Sequence, residues 1–333
     1  MNIIVINLKK YVLTIFSIFL IICLLIFAEN NILACKTGLN IFIQKVFPTL
    51  FPFLIATDIL YNSNFIHILE KYTKGFITKL FNVPPKAAIA IILGLISGYP
   101  IGAKITANLK KDKYITKAEA ERLIAFTNNS SPMFIISTVG ISILSNKNLG
   151  IILLIIHIIS SILVGLIFRF WKYNDKEQLN YDFILLNENN KLKENLSSAE
   201  IITNSIKNSI YTILQIGSFV IFFSILLDIL KSTKILNVFA YILSIIGLDE
   251  TFSLSFLYGF FEITNGLSLI QNLYLNNEIL SIMIISFLLG FSGISILFQI
   301  YSIIKKEHIS IKPYILGKLL QGILSVILVC IFL

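Results

Sequence analysis

Four short stretches of the 333-residue chain carry side chains that could handle a ligand, and each of them interrupts an apolar run. They are Ser97-Gly98-Tyr99-Pro100 with Lys104 just beyond, Asn128-Asn129-Ser130-Ser131 ahead of Pro132, Glu262 with Thr264 and Asn265, and Ser292 with Ser295 around Gly293. The chemistry they offer is recognition, not bond making: hydroxyls and amides that give and take hydrogen bonds, one acid and one nearby cation. No paired catalytic acids, Ser/His/Asp set or phosphate loop accompanies them, so an enzyme is not expected. Cys23, Cys35 and Cys330, like His67, His157 and His308, are scattered without metal-ligand spacing; all six read as packing or surface residues, with no metal and no cofactor.

Breaking a helix inside an apolar run frees backbone N–H and C=O groups, each costing several kcal/mol if left to hydrocarbon. Such breaks belong where backbone lines a cavity. About half a positive charge gathers at each half-helix N-terminus, which favours an anion. The bland alternative is that the Gly, Ser and Pro residues only permit close helix packing. Glu262 sits inside LYGFFEITNG, and an acid there either exchanges a proton or holds a coupling cation, or makes a structural hydrogen bond. Lys104 is close enough to the first break to meet a carboxylate, although snorkelling to the interface would explain it equally. Asp58 and Asp228 fall near helix ends and read as interfacial.

The elements that must position these residues are transmembrane helices. The composition, 56% hydrophobic against 14% charged, with apolar runs of about 20 residues, matches a bilayer core and not an outer-membrane barrel. The net charge of +9 comes from lysines in short loops, a topological signal that excludes nucleic-acid binding. The first run, Tyr11 to Ala28, reads as an uncleaved helix because no A-x-A site follows it. An amphipathic stretch at 65–82 reads as interfacial, and Thr116 with Glu119 forms a capping-box pattern.

The order of elements repeats. A helix with one acid, an amphipathic piece, a broken segment (ISGYPIG, then FEITNG), an interrupted helix (TNNSSP, then GFSGIS) and a clean span occur twice. Lysines at 71–79 and 104–117, with Arg122, Arg169 and Lys172, are expected on the cytoplasmic side, as are Lys305, Lys306, Lys312 and Lys318 in the second half. The halves are then inverted, with the broken segments as re-entrant hairpins; Lys231 and Lys234 do not fit. The expected division is 1–45 for the N-terminal helix and connection, 46–168 for the first repeat, 169–200 for a polar cytoplasmic linker and 201–333 for the second repeat. Inverted repeats with hairpins and discontinuous helices point to a secondary transporter.

ISGYPIGAK, ERLIAFTNNSSPMFIISTVG and FFEITNG resemble the YlbJ/SpoVV family of sporulation integral membrane proteins, which carry paired nucleoside-recognition (Gate) domains. The resemblance covers nearly the whole chain except the first helix and the linker. It implies an all-α polytopic membrane fold similar to concentrative nucleoside transporters, in the mother-cell-derived membrane around the forespore. It further implies movement of dipicolinic acid toward the spore, in support of spore maturation and its cortex. Dipicolinate is a small planar dianion that helix N-termini, Asn and Ser side chains and Lys104 could hold. The acidic nucleoside-binding motifs of that transporter class are not evident where SGYP stands, which argues against nucleoside transport. The alternatives are a membrane scaffold recruiting assembly partners through the linker, or a nucleoside transporter, and a homo-oligomer is compatible with each.

Overall fold

The computed structural model describes residues 2–63, 65–73, 75–173, 197–245 and 247–333, with side chains from Tyr11 onward, Lys45 excepted. Most of the expected linker, 174–196, lies outside the described residues. Every regular element among them is helical. Among the described residues four helical segments are long and apolar enough to cross a membrane, namely Lys147–Phe168, Ser198–Ser232, Glu278–Glu307 and Lys312–Phe332, and the bent pair Tyr11–Ile26 and Ala28–Gln44 makes a fifth if it is one span.

The N-terminal region differs from the expected helix plus connection. Helix α1 (Asn2–Ile26) is followed by a second helix, α2 (Ala28–Ile41), and the two are bent by 102°. Buried Asn31 secures the bend by donating to the Cys23 carbonyl at 3.2 Å. Helix α2 packs along the long helix α10 (Ser198–Ser232) at Gly38, where a Cβ would come within 2.9 Å of the Ile221 Cα. A π-helical turn (Phe42–Val46) leads into α3 (Phe47–Tyr61), which also packs on α10. Helices α4 (Phe65–Thr73) and α5 (Phe76–Phe81) bury Ile66, Ile77 and Phe81 and leave Tyr72 exposed, as an interfacial pair would.

The first hairpin is α6 (Ala88–Ser97) and α7 (Ile101–Lys111). Helix α8 (Lys117–Ile124) starts at the expected capping box, with Glu119 N–H donating to Thr116 Oγ1 at 3.2 Å and Thr116 N–H to Glu119 Oε2 at 2.7 Å. Residues 125–131 leave the helix, a π-helical stretch (Phe134–Ile143) follows, and α9 (Lys147–Phe168) closes the half. In the second half come α10, α11 (Ile235–Ile245), a hairpin of α12 (Glu250–Phe261) and α13 (Ile263–Leu273), a helix broken at Ser292-Gly293 into α14 (Glu278–Phe291) and α15 (Ile294–Ile304), and α16 (Lys312–Phe332).

Hairpin arms of 10 to 12 residues reach about 15–18 Å, half of a ~30 Å hydrocarbon core, so neither arm can cross alone. Glycines let the arms close. A Cβ on Gly94 would stand 3.1 Å from the Gly102 Cα, and one on Gly266 would stand 2.3 Å from the Gly259 Cα. The packing between halves is reciprocal: α7 rests on α15, the far half of the second broken helix, while α13 rests on the π-helical stretch, the far half of the first. Helices α9 and α16 pack on each other and on their own broken helices.

At one end, a polar clasp ties the first half together. Arg122, 5% exposed, donates to the carbonyls of Asn82 (2.7 Å), Trp171 (2.8 Å) and Lys172 (3.0 Å). Its neighbour Glu121, wholly buried, accepts from Trp171 Nε1 at 2.9 Å and pairs with Lys172 at 2.9 Å. Arg122 is therefore a packing residue as well as a topological charge.

Candidate functional site

The first break is held by backbone contact. A Cβ on Gly94 or Gly102 would fall 1.9 Å or 2.1 Å from the Thr127 carbonyl oxygen, and one on Gly317 of α16 would fall 2.3 Å from that of Ala125. Three glycines thus press helices against the non-helical segment 125–131. The hairpin tip itself turns at Gly98, with φ +84°, a conformation that costs an L side chain. In the second half the contact runs the other way: Gly293 of the break, with φ +87°, faces the carbonyls of Gly259 and Phe261 in the second hairpin.

Between the two tips lies a cavity of about 300 Å³. Gly98 and Tyr99 of the first tip and Glu262 and Thr264 of the second face it, together with Ser131 from the first break and Ser295 from the second. Residues from α2, α3, α10 and the π-helical stretch complete a largely apolar wall that includes Phe53, Phe134 and Val220. The volume is at the small end of ligand pockets, and the polar groups are few and convergent.

The four half-helix N-termini are not equivalent. Glu262 caps α13, accepting from Asn265 N–H and from the Thr264 hydroxyl, each at 2.9 Å. Ser131 caps the helix after the first break by accepting from Phe134 N–H at 3.2 Å. Helix α15 begins at Gly293 and α7 at Pro100, both without a side-chain cap. Ser295 in the first turn of α15 is 2% exposed, and its hydroxyl has no protein partner. An anion in the cavity would therefore find its donors at α15 and at the first hairpin tip, with the α13 end already occupied by the protein's own carboxylate.

The other expected site residues fall elsewhere. Asn128, Asn129 and Ser130 are 1% exposed or less and lie behind the cavity in a polar core. Asn129 donates to the Phe126 carbonyl (2.7 Å) and Ser161 Oγ (3.1 Å) and accepts from Gln321 Nε2 (3.0 Å) and Lys318 Nζ (3.5 Å). Ser130 N–H donates to His157 Nε2 at 3.2 Å, and its hydroxyl is hydrogen-bonded to Tyr99, the link from this core to the cavity. Asn128 donates to the Tyr314 hydroxyl at 3.4 Å, and Ser292 lies beside Tyr99 and Tyr314. Ser97 is buried without a partner for its hydroxyl, and Pro100 is buried at the start of α7.

Three residues are placed differently from the sequence expectation. Lys104 does not reach the cavity; it pairs with Asp58 at 3.3 Å, and Asp58, 6% exposed, also accepts from Asn208 at 3.3 Å. Its ammonium is turned to the buried carboxylate of α3 and is not part of the cavity wall. Asp58 is accordingly not an interfacial bystander. Asn265 faces away, into a second cavity of about 540 Å³ with Asp228, Lys231 and Tyr258.

Sequence reasoning also missed residues. Lys318, expected among the cytoplasmic charges, is 1% exposed, and its ammonium donates to Gln321 Oε1 at 2.8 Å and to Asn129. His157, expected as simple packing, accepts a backbone N–H at the break. The signal was present: Lys318, Gln321 and Ser325 are spaced three and four apart within an apolar helix, one polar stripe, as are His157, Ser160 and Ser161 on α9.

A family model described as nucleoside recognition, the Gate family, matches residues 43–147, which contain the first hairpin and first break. The chain is also similar to the sporulation integral membrane protein YlbJ of Bacillus subtilis (strain 168), 31% identical over 328 residues that cover 94% of this chain and 80% of that protein. No solved structure matches.

Proposed function

Because the chain belongs to the family of the sporulation integral membrane protein YlbJ, we propose that it is a secondary transporter of a small organic anion. The observation that carries this reading is the cavity walled by both hairpin tips and both helix breaks, with uncapped α15 and unpartnered Ser295 facing it. Small displacements of either hairpin would open that cavity to one side or the other, which is how inverted repeats give alternating access around a fixed site. The two repeats, 46–168 and 201–333, take opposite orientations in the bilayer in this scheme.

Dipicolinate is the proposed substrate, moved from the mother cell toward the forespore across the surrounding membrane. Its planar ring suits an apolar wall with Phe53 and Phe134, and its carboxylates suit the helix N-terminus. Glu262 is the proposed coupling acid on the cavity side. When its carboxylate takes a proton, the α13 amide and the Thr264 hydroxyl it now engages become available to the substrate.

The test is uptake of labelled dipicolinate by protein reconstituted in liposomes, with uridine in parallel. Saturable dipicolinate uptake, reduced at least about tenfold in Ser295→Ala or Gly98→Leu, is expected, in line with loss of a positioned donor or of the tip geometry. Uridine uptake in place of dipicolinate would reassign the substrate. Uptake of neither by folded protein would overturn transport and favour a scaffold. Glu262→Gln transporting with unchanged pH dependence would remove its coupling role.

A further inference from the structure

The second ionisable feature of the core is Lys318, and the cavity reading leaves it without a role. It lies two turns into α16, a transmembrane-length helix, at 1% exposure, and no carboxylate among the described residues pairs with it. A lysine placed there is costly and functional by default. Its ammonium is held by oxygen acceptors: Gln321 Oε1 at 2.8 Å on its own helix, and Asn129 Oδ1 at 3.5 Å in the non-helical segment 125–131. Oxygen atoms of an unwound segment are what transporters with discontinuous helices use for a coupling cation.

We propose that Lys318 is a built-in coupling cation: its ammonium stands against the broken segment in place of a bound ion, releases its proton to water when that segment moves away, and takes one back when the segment returns. The ammonium donates to Asn129 Oδ1, whereas the neutral amine, with one fewer N–H and no charge, holds the segment weakly. The segment in turn touches the cavity through Ser131, and through the Ser130 hydroxyl bonded to Tyr99. Protonation at Lys318 and occupancy of the cavity therefore act on the same seven residues.

The titratable groups facing this cluster are few. Helix α9 brings His157, whose Nδ1 is buried without a partner, α16 itself brings Tyr314, and the first hairpin brings Tyr99. Helix α14, packed on α16, carries no ionisable residue after Glu278 at its exposed first position. On α8, Glu121 and Arg122 are turned to Trp171, Lys172, Asn82 and Ser310. Lys318 is thus the lone ammonium of the cluster among the described residues.

The inference rests on the transporter reading for its purpose, but its first test needs no substrate. Amide exchange of residues 125–132 is measured by mass spectrometry on the full protein in detergent across pH, corrected for intrinsic exchange. Wild type should lose protection at least about tenfold in one step as pH rises, because loss of a proton releases the segment. Lys318→Met should be flat, and Lys318→Arg, whose charge is permanent, flat and protected. Glu262→Gln and His157→Asn should keep the step. A wild-type-like step in Lys318→Met, or in Lys318→Arg should the methionine variant not fold, overturns the proposal; loss of the step in His157→Asn alone assigns the proton to the histidine and overturns it too. In liposomes, Lys318→Met should lose acceleration of dipicolinate uptake by a proton gradient, and Lys318→Arg, whose permanent charge holds the segment, should slow dipicolinate counterflow at least about tenfold. If wild type carries no dipicolinate, the transport reading fails and the exchange experiment still decides Lys318.

Discussion

Gly102→Ala isolates the contact that holds the first break under the hairpin. The added Cβ would sit 2.1 Å from the Thr127 carbonyl oxygen and 2.7 Å from its carbonyl carbon, where ordinary contact begins at 3.4 Å. The obstacle is backbone inside a fully buried segment, so no rotamer change relieves it, and α7 and residues 127–128 must separate by more than an ångström. Overpacking costs about 1–3 kcal/mol, with the upper end expected against backbone, and an ångström of misplacement at a binding site costs about 10²-fold in activity. Gly165→Ala is the comparison: its Cβ meets ring atoms of Phe81 at 2.7 Å, a side chain able to shift, and about 1 kcal/mol is expected. Thermal midpoints in detergent, at about 2–4 °C per kcal/mol, and dipicolinate uptake read the two variants. Equal midpoints for Gly102→Ala and wild type would refute the idea that hairpin and break are locked by backbone contact.

Three further outcomes follow from particular bonds. Lys104→Met strands the Asp58 carboxylate at 6% exposure and should cost about 3–5 kcal/mol, most of it recovered in the double variant with Asp58→Asn, a cycle read by thermal denaturation. Arg122→Met removes the donor for three backbone carbonyls and should cost about 3–5 kcal/mol; Arg122→Lys should recover only a minor part, since an ammonium lacks the guanidinium's fork. Asp249, exposed at the start of α12, accepts from the Thr251 hydroxyl and from Thr251 N–H at 2.9 Å, and these bonds hold its carboxyl below the ordinary value. Because the folded value is the lower one, its stabilisation is complete above the unfolded value of about 4 and is lost as pH falls through the folded value. Amide exchange at the first turn of α12 should rise over that window and be insensitive to it in Asp249→Ala.

What the sequence by itself determined were the features governed by local chemistry and by the solvent. The apolar runs require helices in a bilayer, Thr116 and Glu119 specify the start of α8, and Gly98, Pro100 and Gly293 mark positions where a helix is readily broken. The two hairpins and the two broken helices were legible for the same reason. Only the tertiary structure decided which polar residue meets which. Lys104 and Lys318 are both lysines beside an apolar stretch; the polar stripe Lys318, Gln321, Ser325 marks the second as inward-facing, but nothing local names the partner of either. One is claimed by Asp58, 46 positions away on another helix, and the other by Asn129, 189 positions away. Glu262 was conspicuous as an intramembrane acid, and its capping of α13 through Thr264 and Asn265, two and three positions on, is local; only packing decided that it lines the cavity shared with the first hairpin tip. In a low-dielectric interior each buried polar group is committed to whatever partner packing delivers, and that choice is a property of the assembled helices.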